Sequence, residues 1–209
     1  MKILIVDDHA LVRRGLASLL QEEFKGVEIA EAQDARDGFA AVIKQDWDLV
    51  VADISMPGRS GLELIQDIKR ERPTQAVLVI SGHAEKDYAL RALKLGAAGY
   101  VSKQSAADVL VTAVKRVLSG RRFISQDLAE QLAGAISGGA PGTSHETLSN
   151  RELEVLKLIA SGHTIKEISS SLALSEKTVA TYRSRIAEKM GLSSNVELTR
   201  YAMRHGLAD

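Results

Sequence analysis

Polar side chains that could bind a cation and a phosphoryl group follow four short apolar runs of this chain. The runs are 3–6, 49–52, 77–80 and 99–101. At or just beyond their ends stand Asp7, Asp8, Asp53, Ser81 and Lys103. Carboxylate oxygens suit a hard divalent cation, and an ammonium or a hydroxyl suits phosphoryl oxygens. The set therefore predicts a place where a divalent cation and a phosphoryl group meet.

Five strand candidates alternate with five helix candidates in residues 1–118. The apolar runs are typical of buried parallel strands, because strands covered on both faces show no apolar–polar alternation. Strand–helix alternation with short connections implies right-handed crossovers. In such a doubly wound α/β sheet the carboxyl ends of the strands converge on one crevice. The predicted strands are 2–7, 27–32, 48–53, 76–81 and 98–102, and the predicted helices are 10–21, 35–45, 61–71, 86–95 and 106–118.

Each polar residue has a chemical role in that crevice. Mg²⁺ binds through one or two carboxylates, water and phosphate oxygen. We therefore assign Asp8 and Asp53 as ligands, with Asp7 acting through water and the Ser55 carbonyl completing the set. Asp53 is the best nucleophile, since carboxylates form acyl phosphates. Lys103 can pair with one transferred phosphoryl oxygen, and the Ser81 hydroxyl can donate a hydrogen bond to another.

Every member of this set also has an ordinary explanation when it is taken alone. An acidic residue at a strand end is more often a cap or a solvated terminus. Asp7-Asp8 could simply begin the next helix, where the helix dipole favours negative charge. Lys103 alone would be a surface lysine. The joint occurrence at four of five strand ends favours the phosphoryl site.

The composition excludes several classes of protein. The chain has 209 residues, which suits two domains, and no cysteine, so disulfides and thiolate metal sites are excluded. Basic and acidic residues number 27 each, so no global charge attracts nucleic acid or a membrane. The apolar run after Met1-Lys2 is too short for a signal peptide, and no run reaches the roughly 20 residues of a membrane span. We expect a cytoplasmic protein with no membrane partner.

Composition changes after the α/β segment. Residues 138–144 are rich in Gly, Pro and Ser, which is typical of a flexible linker. Ser125 could cap a short helix that precedes this linker. We therefore predict a domain at 1–120, a connector helix and linker at 121–146, and a second domain at 147–209.

Residues 147–207 are predicted to form four short helices with helix–turn–helix spacing. Ser149 with Glu152, and Thr164 with Glu167, have the spacing of a capping box. Ala173-Leu174 is a short turn before a helix that Ser175 caps. One face of that helix is polar and would meet either solvent, the ordinary case, or the major groove of DNA. The candidate DNA contacts on this face are Lys177, Thr181, Ser184 and Arg185.

Residues 1–118 resemble the receiver domain of two-component response regulators. The segments that carry the resemblance are Val6-Asp7-Asp8-His9, Asp53-Ile54-Ser55-Met56-Pro57-Gly58, Ile80-Ser81-Gly82 and Tyr100-Val101-Ser102-Lys103. It implies a flavodoxin-like fold, Mg²⁺ as cofactor, and phosphorylation of Asp53 by a sensor histidine kinase. It also implies a switch in which Ser81 moves toward the phosphoryl group and Tyr100 changes its burial. From its spacing we further expect His83 to influence hydrolysis of the acyl phosphate.

Residues 147–207 resemble the LuxR/NarL-type C-terminal effector domain, carried by 148–156, 165–168, Thr178-Val179 and 186–190. The resemblance implies binding of double-stranded promoter DNA and adds Thr178 and Tyr182 to the candidate contacts. Ala180 and Tyr182 stand where the family often has Lys and His, so we expect a phosphate or base contact to be either lost or taken over by Lys177 or Arg185. The resemblance also implies pairing through a receiver surface and through the fourth helix, at Val196, Leu198, Tyr201 and Ala202. These four could equally be the domain's own core.

Together the two segments predict a response regulator of the NarL/FixJ type, with a five-stranded doubly wound parallel sheet followed by a small all-α helix–turn–helix domain. Phosphorylation of Asp53 would promote a homodimer that binds promoter DNA and regulates transcription. We expect no enzymatic activity beyond Mg²⁺-dependent self-phosphorylation and dephosphorylation. One alternative is an Asp-nucleophile phosphatase or phosphotransferase, which would need a second acid–base residue and a lid. Another is a module whose helical end binds protein.

Overall fold

The chain folds into two compact units, Met1–Gly138 and Gly139–Asp209. The structure, a computed structural model, describes residues 1–82, 86–103, 107–125, 129–130 and 144–208. His83 and most of the predicted connector helix and linker lie outside the described residues. No helix within the described ranges combines the length and the apolar character needed to cross a membrane.

A six-stranded parallel sheet forms the centre of the N-terminal unit. Its strands are β1 (Lys2–Val6), β2 (Glu28–Ala32), β3 (Leu49–Asp53), β4 (Val77–Ser81), β5 (Gly99–Ser102) and β6 (Phe123–Ile124). They lie in the order β2-β1-β3-β4-β5-β6, and all neighbouring pairs are parallel. The chain changes direction across the sheet between β1 and β3, which is where doubly wound sheets form their crevice.

The sixth strand corrects the prediction of a five-stranded sheet. Phe123 pairs with Gly99 and Ile124 with Tyr100, so the start of the predicted connector extends the sheet. Two residues are too short for a strand pattern to appear in the sequence. The pairing also depends on Gly99, because a Cβ there would lie 2.7 Å from the Phe123 carbonyl oxygen.

Five helices of the described residues accompany the sheet. They are α1 (Ala10–Glu23), α2 (Ala35–Lys44), α3 (Gly61–Glu71), α4 (Lys86–Lys94) and α5 (Ala107–Leu118). Helix α1 packs against α5, and α2 packs against α3. Trp47, the single tryptophan of the chain, is 8% exposed, and its indole N–H donates a 3.0 Å hydrogen bond to the Ala41 carbonyl.

The C-terminal unit is helical. A short 3₁₀ helix (Ser144–Thr147) precedes α6 (Asn150–Ala160), α7 (Ile165–Ser171), α8 (Glu176–Met190) and α9 (Asn195–Arg204). The predicted capping boxes at Ser149 and Thr164 and the predicted cap at Ser175 are confirmed. In the turn between α7 and α8, Ala173 has a left-handed backbone with φ of 52°. Helices α7 and α8 therefore form the predicted helix–turn–helix.

Gly61 brings the start of α3 directly against the end of β3. Its N–H donates a 2.9 Å hydrogen bond to the Ile54 carbonyl, and a Cβ at Gly61 would lie 1.9 Å from the Asp53 carbonyl oxygen. The atoms nearest to that Cβ are all backbone atoms of Asp53 and Ile54, so a side chain at Gly61 would force the start of α3 away from the end of β3. The backbone of Asp53 is thus held by a close approach that only glycine allows.

We expect Gly61→Ala to lower the free energy of unfolding of the N-terminal unit by roughly 3 kcal/mol, because the added methyl group overlaps the Asp53 backbone. The matched control is Gly15→Ala in α1, where nothing lies within 4 Å of the added Cβ. The control should gain roughly 0.5–1 kcal/mol from helix propensity. Urea unfolding of both variants measures the difference, and equal stability would contradict the close approach.

Candidate phosphoryl site and nucleic-acid interface

The polar groups predicted at the strand ends meet at the carboxyl edge of the sheet. Asp7 directly follows β1, Asp53 ends β3 and Ser81 ends β4. Lys103 follows β5, and its backbone N–H donates a 2.7 Å hydrogen bond to the Ser81 carbonyl. Because neighbouring strands are parallel, all four residues lie at the same edge.

Lys103 joins two buried carboxylates. Its Nζ lies 2.7 Å from Asp53 Oδ2 and 2.7 Å from Asp7 Oδ2. The side chain of Asp7 is 2% exposed and that of Asp53 is 1% exposed, so water screens these charges poorly. One ammonium group therefore stands against two buried carboxylates.

The pKa values at this edge reflect burial and mutual charge. Burial raises the pKa of Asp53 above its ordinary value, and the charge of Asp7 acts in the same direction. Hydrogen bonds from Lys103 and from the Ser55 backbone N–H oppose the rise. Burial alone would lower the pKa of Lys103, but its bonds to Asp53 and Asp7 raise it. The carboxylates thus carry more negative charge than Lys103 offsets, which favours a cation here.

Four residues could hold that cation. Asp7, Asp8, His9 and Asp53 each offer one ligand atom, and these atoms lie within 4.8 Å of one another. Asp53 Oδ1 is buried and accepts no hydrogen bond of standard geometry from any residue that the structure describes. A buried carboxylate oxygen of this kind suits a hard cation such as Mg²⁺. The predicted ligands Asp7, Asp8 and Asp53 are thus brought together, whereas the Ser55 carbonyl stays a prediction.

Sequence reasoning did not single out two residues that shape this edge. His9 Nδ1 lies 2.9 Å from Asp8 Oδ1, and its place beside Asp7-Asp8 was the available signal. The Arg13 guanidinium donates to the Asp7 carbonyl at 2.6 Å and to Glu31 Oε2 at 3.0 Å. Arg13 therefore ties the loop after β1 to β2. No local sequence pattern predicts this contact, because Arg13 and Glu31 belong to different elements.

Ser81 and Tyr100, the predicted switch residues, contact each other. Ser81 is fully buried and Tyr100 is 3% exposed. Burial raises the pKa of Tyr100, and a hydrogen bond with the Ser81 side chain acts in the opposite direction. In this structure the two residues form a buried polar pair beside Asp53.

Helix α8 presents most of the predicted DNA contacts on its accessible face. Lys177, Thr181, Ser184 and Arg185 are exposed, and Thr178 and Tyr182 are half-buried. The hydroxyl groups of Thr181 and Ser184 donate to carbonyls of the same helix at 2.9 and 3.1 Å. Their oxygens can still accept a hydrogen bond from a base or from water. Arg183 is directed away from this set, since its Nε donates to Asn195 Oδ1 at 2.7 Å.

An ion pair fixes α8 to α6. Lys189 Nζ donates a 2.6 Å hydrogen bond to Glu152 Oε2, and Glu152 also accepts a 2.7 Å bond from the Ser149 N–H. Burial alone would raise the pKa of Glu152, but the bonds from Lys189 and Ser149 lower it. Glu152 therefore caps α6 and holds the end of α8 at the same time.

The predicted dimer residues divide between core and surface. Leu198 and Ala202 are fully buried in the C-terminal unit, so a second copy cannot reach them in this structure. The Tyr201 hydroxyl lies 2.9 Å from His145 Nδ1. Val196 is 66% exposed, and so is Met203 at 57%, a residue not predicted. Helical periodicity alone did not distinguish the core face of α9 from its accessible face.

Two family profiles match the chain. One, described as response regulator receiver domain, matches residues 3–115, and the other, described as bacterial regulatory proteins of the luxR family, matches residues 146–202. The chain is a response regulator of the LuxR family. The recognition, the fold class and the general function predicted from the sequence are therefore confirmed, with the strand count corrected to six.

Relatives of this response regulator match it over its full length. It is 37% identical to the response regulator UvrY of Escherichia coli K12, covering all of this chain and 96% of the relative. It is 36% identical to the response regulator GacA of Pseudomonas aeruginosa, covering all of this chain and 98% of the relative.

Solved structures of RcsB are similar to the regulator. RcsB from Salmonella enterica serovar Typhimurium, bound to the rprA promoter in the presence of phosphomimetic BeF₃⁻, is 29% identical with a TM-score of 0.66, over 96% of this chain and 97% of that one. A structure of two RcsB dimers bound to two parallel DNAs is 29% identical with a TM-score of 0.61, over 97% and 98%.

We expect Lys103→Met to lower the free energy of unfolding of the regulator's N-terminal unit by roughly 3 kcal/mol in EDTA, because two buried carboxylates lose their shared partner. Added Mg²⁺ should recover part of the loss by supplying positive charge. The exposed Lys44→Met serves as control and should change stability by less than about 0.5 kcal/mol. Urea unfolding with and without Mg²⁺ measures both effects. Equal losses in the two variants would contradict the role of Lys103.

A second prediction concerns Lys157 of α6, which is 8% exposed. Burial lowers its pKa from 10.5 to about 7. The unfolded chain therefore binds the proton more tightly, and the stability of the C-terminal unit should rise as pH increases from about 7 to about 10.5. Lys157→Met should remove this rise and increase stability at pH 7, by at most about 5 kcal/mol. Unfolding curves from pH 7 to 9.5 measure this, with exposed Lys166→Met as control. A pH dependence that Lys157→Met leaves unchanged would contradict the prediction.

Proposed function

We propose that this chain accepts a phosphoryl group on Asp53 from a sensor histidine kinase and then, as a homodimer, binds promoter DNA through α8 to regulate transcription. The observation that carries the proposal is the Lys103 bridge to Asp53 and Asp7, at the sheet edge of a matched receiver domain. The LuxR-type match of residues 146–202 supports DNA as the target. Action on chromosomal DNA would place the protein in the cytoplasm.

The transfer step follows from the position of the Asp53 carboxylate. One of its oxygens attacks the phosphorus of a phosphohistidine, so an O–P bond forms while the N–P bond breaks. The electron pair of the broken bond stays on the imidazole nitrogen, which takes up a proton. Lys103, whose Nζ already contacts Asp53, can follow the charge onto a phosphoryl oxygen because an ammonium group is a mobile point charge.

The residues that would hold Mg²⁺ are Asp8 and Asp53, with Asp7 through water and the Ser55 carbonyl. When bound, Mg²⁺ would reduce repulsion between the carboxylates and the incoming anion and stabilise negative charge during transfer. The protein's own contribution is positioning. Arg13 fixes the loop that carries Asp7, and Gly61 fixes the backbone of Asp53.

The buried contact between Ser81 and Tyr100 could convert phosphorylation into a change of shape. A phosphoryl oxygen on Asp53 competes for the Ser81 hydroxyl, which in this structure interacts with Tyr100. If Ser81 turns to the phosphoryl group, Tyr100 loses a polar partner and its burial becomes less favourable. This sequence of contacts supports the switch expected from the family.

Dimerisation of the chain would strengthen DNA binding, because two effector domains would bind neighbouring half-sites together. Residues 147–209 hold nine basic and seven acidic residues, so a single effector domain is a weak electrostatic binder. Two linked domains gain from effective concentration at neighbouring half-sites. RcsB is recorded as dimers on DNA, and the exposed Val196 and Met203 of α9 offer apolar surface for such pairing here.

We predict that acetyl phosphate with Mg²⁺ adds one phosphoryl group to the wild-type chain and none to Asp53→Asn. Phosphorylation should shift the chain toward a dimer and raise operator affinity about 10-fold or more, because both half-sites are then engaged. Mass spectrometry and sedimentation measure the first two effects, and genome-wide mapping of wild type beside Asp53→Asn identifies the operators.

The control is Asp37→Asn, an exposed carboxylate in the first turn of α2, which should behave like wild type. A phosphorylated chain with unaltered oligomeric state and DNA affinity would refute the switch. Steady turnover of a phosphate monoester would instead favour the phosphatase.

A further inference from the structure

Five basic residues gather at the sheet edge opposite Asp53, and we call them the basic cluster: Lys69, Lys94, Arg116, Arg121 and Arg122. The first three stand near the carboxyl ends of α3, α4 and α5, and the last two precede β6. Residues 109–126 contain four basic residues and no acidic one. A neutral chain therefore carries a concentrated positive charge at this one place.

Contacts show that the helix ends of the basic cluster are close together. Gly96, just after α4, would place a Cβ 3.4 Å from Lys69 Cε. Burial lowers the pKa of Lys69, and the charge of Arg122 lowers it further, so these two cations repel each other. The Arg121 N–H donates a 3.0 Å hydrogen bond to the Arg116 carbonyl, which places the turn after α5 beside the same group.

The cluster is not neutralised inside the unit. Lys94, Arg116, Arg121 and Arg122 are exposed, and none of them forms an ion pair with a residue in the described part of the chain. Lys115 does pair, with Glu23, and is therefore left out of the cluster. Lys69 Nζ is held by the carbonyls of Pro73 and Gln75 rather than by a carboxylate.

Helix dipoles explain only part of this arrangement. Cations are stabilising near helix carboxyl ends, which accounts for Lys69, Lys94 and Arg116. Arg121 and Arg122 lie beyond α5, where the dipole falls off, and Arg122 is repelled by Lys69. Like charges held together in this way cost stability unless an anion is bound to them.

We propose that the basic cluster is a second DNA contact, which binds the phosphate backbone of the same duplex that the effector domain engages. This rests on the proposed DNA-binding function. Duplex DNA carries a phosphate about every 1.7 Å of its axis, and arginine guanidinium groups bind phosphate oxygens in bidentate fashion. The effector domain has only a small basic excess, so cations tethered to it in the same chain would add phosphate contacts at high effective concentration.

The test compares two full-length variants that lose the same three charges. One is Arg116→Gln/Arg121→Gln/Arg122→Gln, in the cluster. The control is Lys25→Gln/Arg36→Gln/Lys44→Gln, three exposed cations of the same unit that lie in the turn after α1 and in α2. Anisotropy with a labelled mixed-sequence duplex, titrated at several KCl concentrations, gives the salt slope of the binding constant. Phosphorylation of Asp53 by acetyl phosphate checks that each variant is folded.

The cluster variant should have a salt slope shallower than that of wild type by about 2–3 per protomer and bind about 10-fold or more weakly at 0.1 M KCl. The control should keep the wild-type slope. Equal changes in both variants overturn the proposal in favour of general charge. An unchanged DNA slope with lost binding of poly-glutamate overturns it in favour of an acidic protein partner. If wild type itself does not bind the duplex, the proposed DNA-binding function fails together with the cluster.

Discussion

The ammonium group of Lys103 between the carboxylates of Asp53 and Asp7 is the interaction on which the N-terminal unit depends. Removing charges from water is costly, and two carboxylates side by side also repel each other. At the carboxyl end of a strand in a parallel sheet, such groups can be shielded from water by the neighbouring elements and still border the crevice where a ligand binds. The same arrangement leaves one Asp53 oxygen without a standard hydrogen bond, so the site is charged, positioned and incomplete. A buried carboxylate oxygen without a hydrogen bond lowers the stability of the fold, but it leaves a ligand atom available for binding a cation together with an anion.

The surrounding structure holds that site from several sides. Gly61 lets α3 start against the Asp53 backbone, Arg13 ties the Asp7 loop to β2, and the Lys103 N–H is bonded to the Ser81 carbonyl. Each contact joins two elements of the unit next to a strand end. A shift of one strand end is therefore felt by the others, which is the physical requirement for a switch with distant effects.

The sequence predicted the elements that are buried on both faces and missed those that depend on partners. Strands β3 and β4 appear as continuous apolar runs, and the capping boxes at Ser149 and Thr164 are local patterns. The strand Phe123–Ile124 has no pattern of its own, since its pairing depends on the space left by Gly99. The Arg13–Glu31 pair joins two elements, and the burial of Leu198 and Ala202 depends on how α9 packs. The site carboxylates were predictable because parallel strands bring sequence-distant ends to one edge.

The location of Trp47 has a practical consequence for studying the two units. The only indole of the chain is buried in the N-terminal unit, near the amino end of β3 and far from the phosphoryl edge along the strand. Tryptophan emission will therefore report the unfolding of the sheet domain. The helical domain contains tyrosines but no tryptophan, so its unfolding gives no signal in that emission. Circular dichroism at the helical band sees both, so the difference between the two optical curves isolates the effector half in the intact chain.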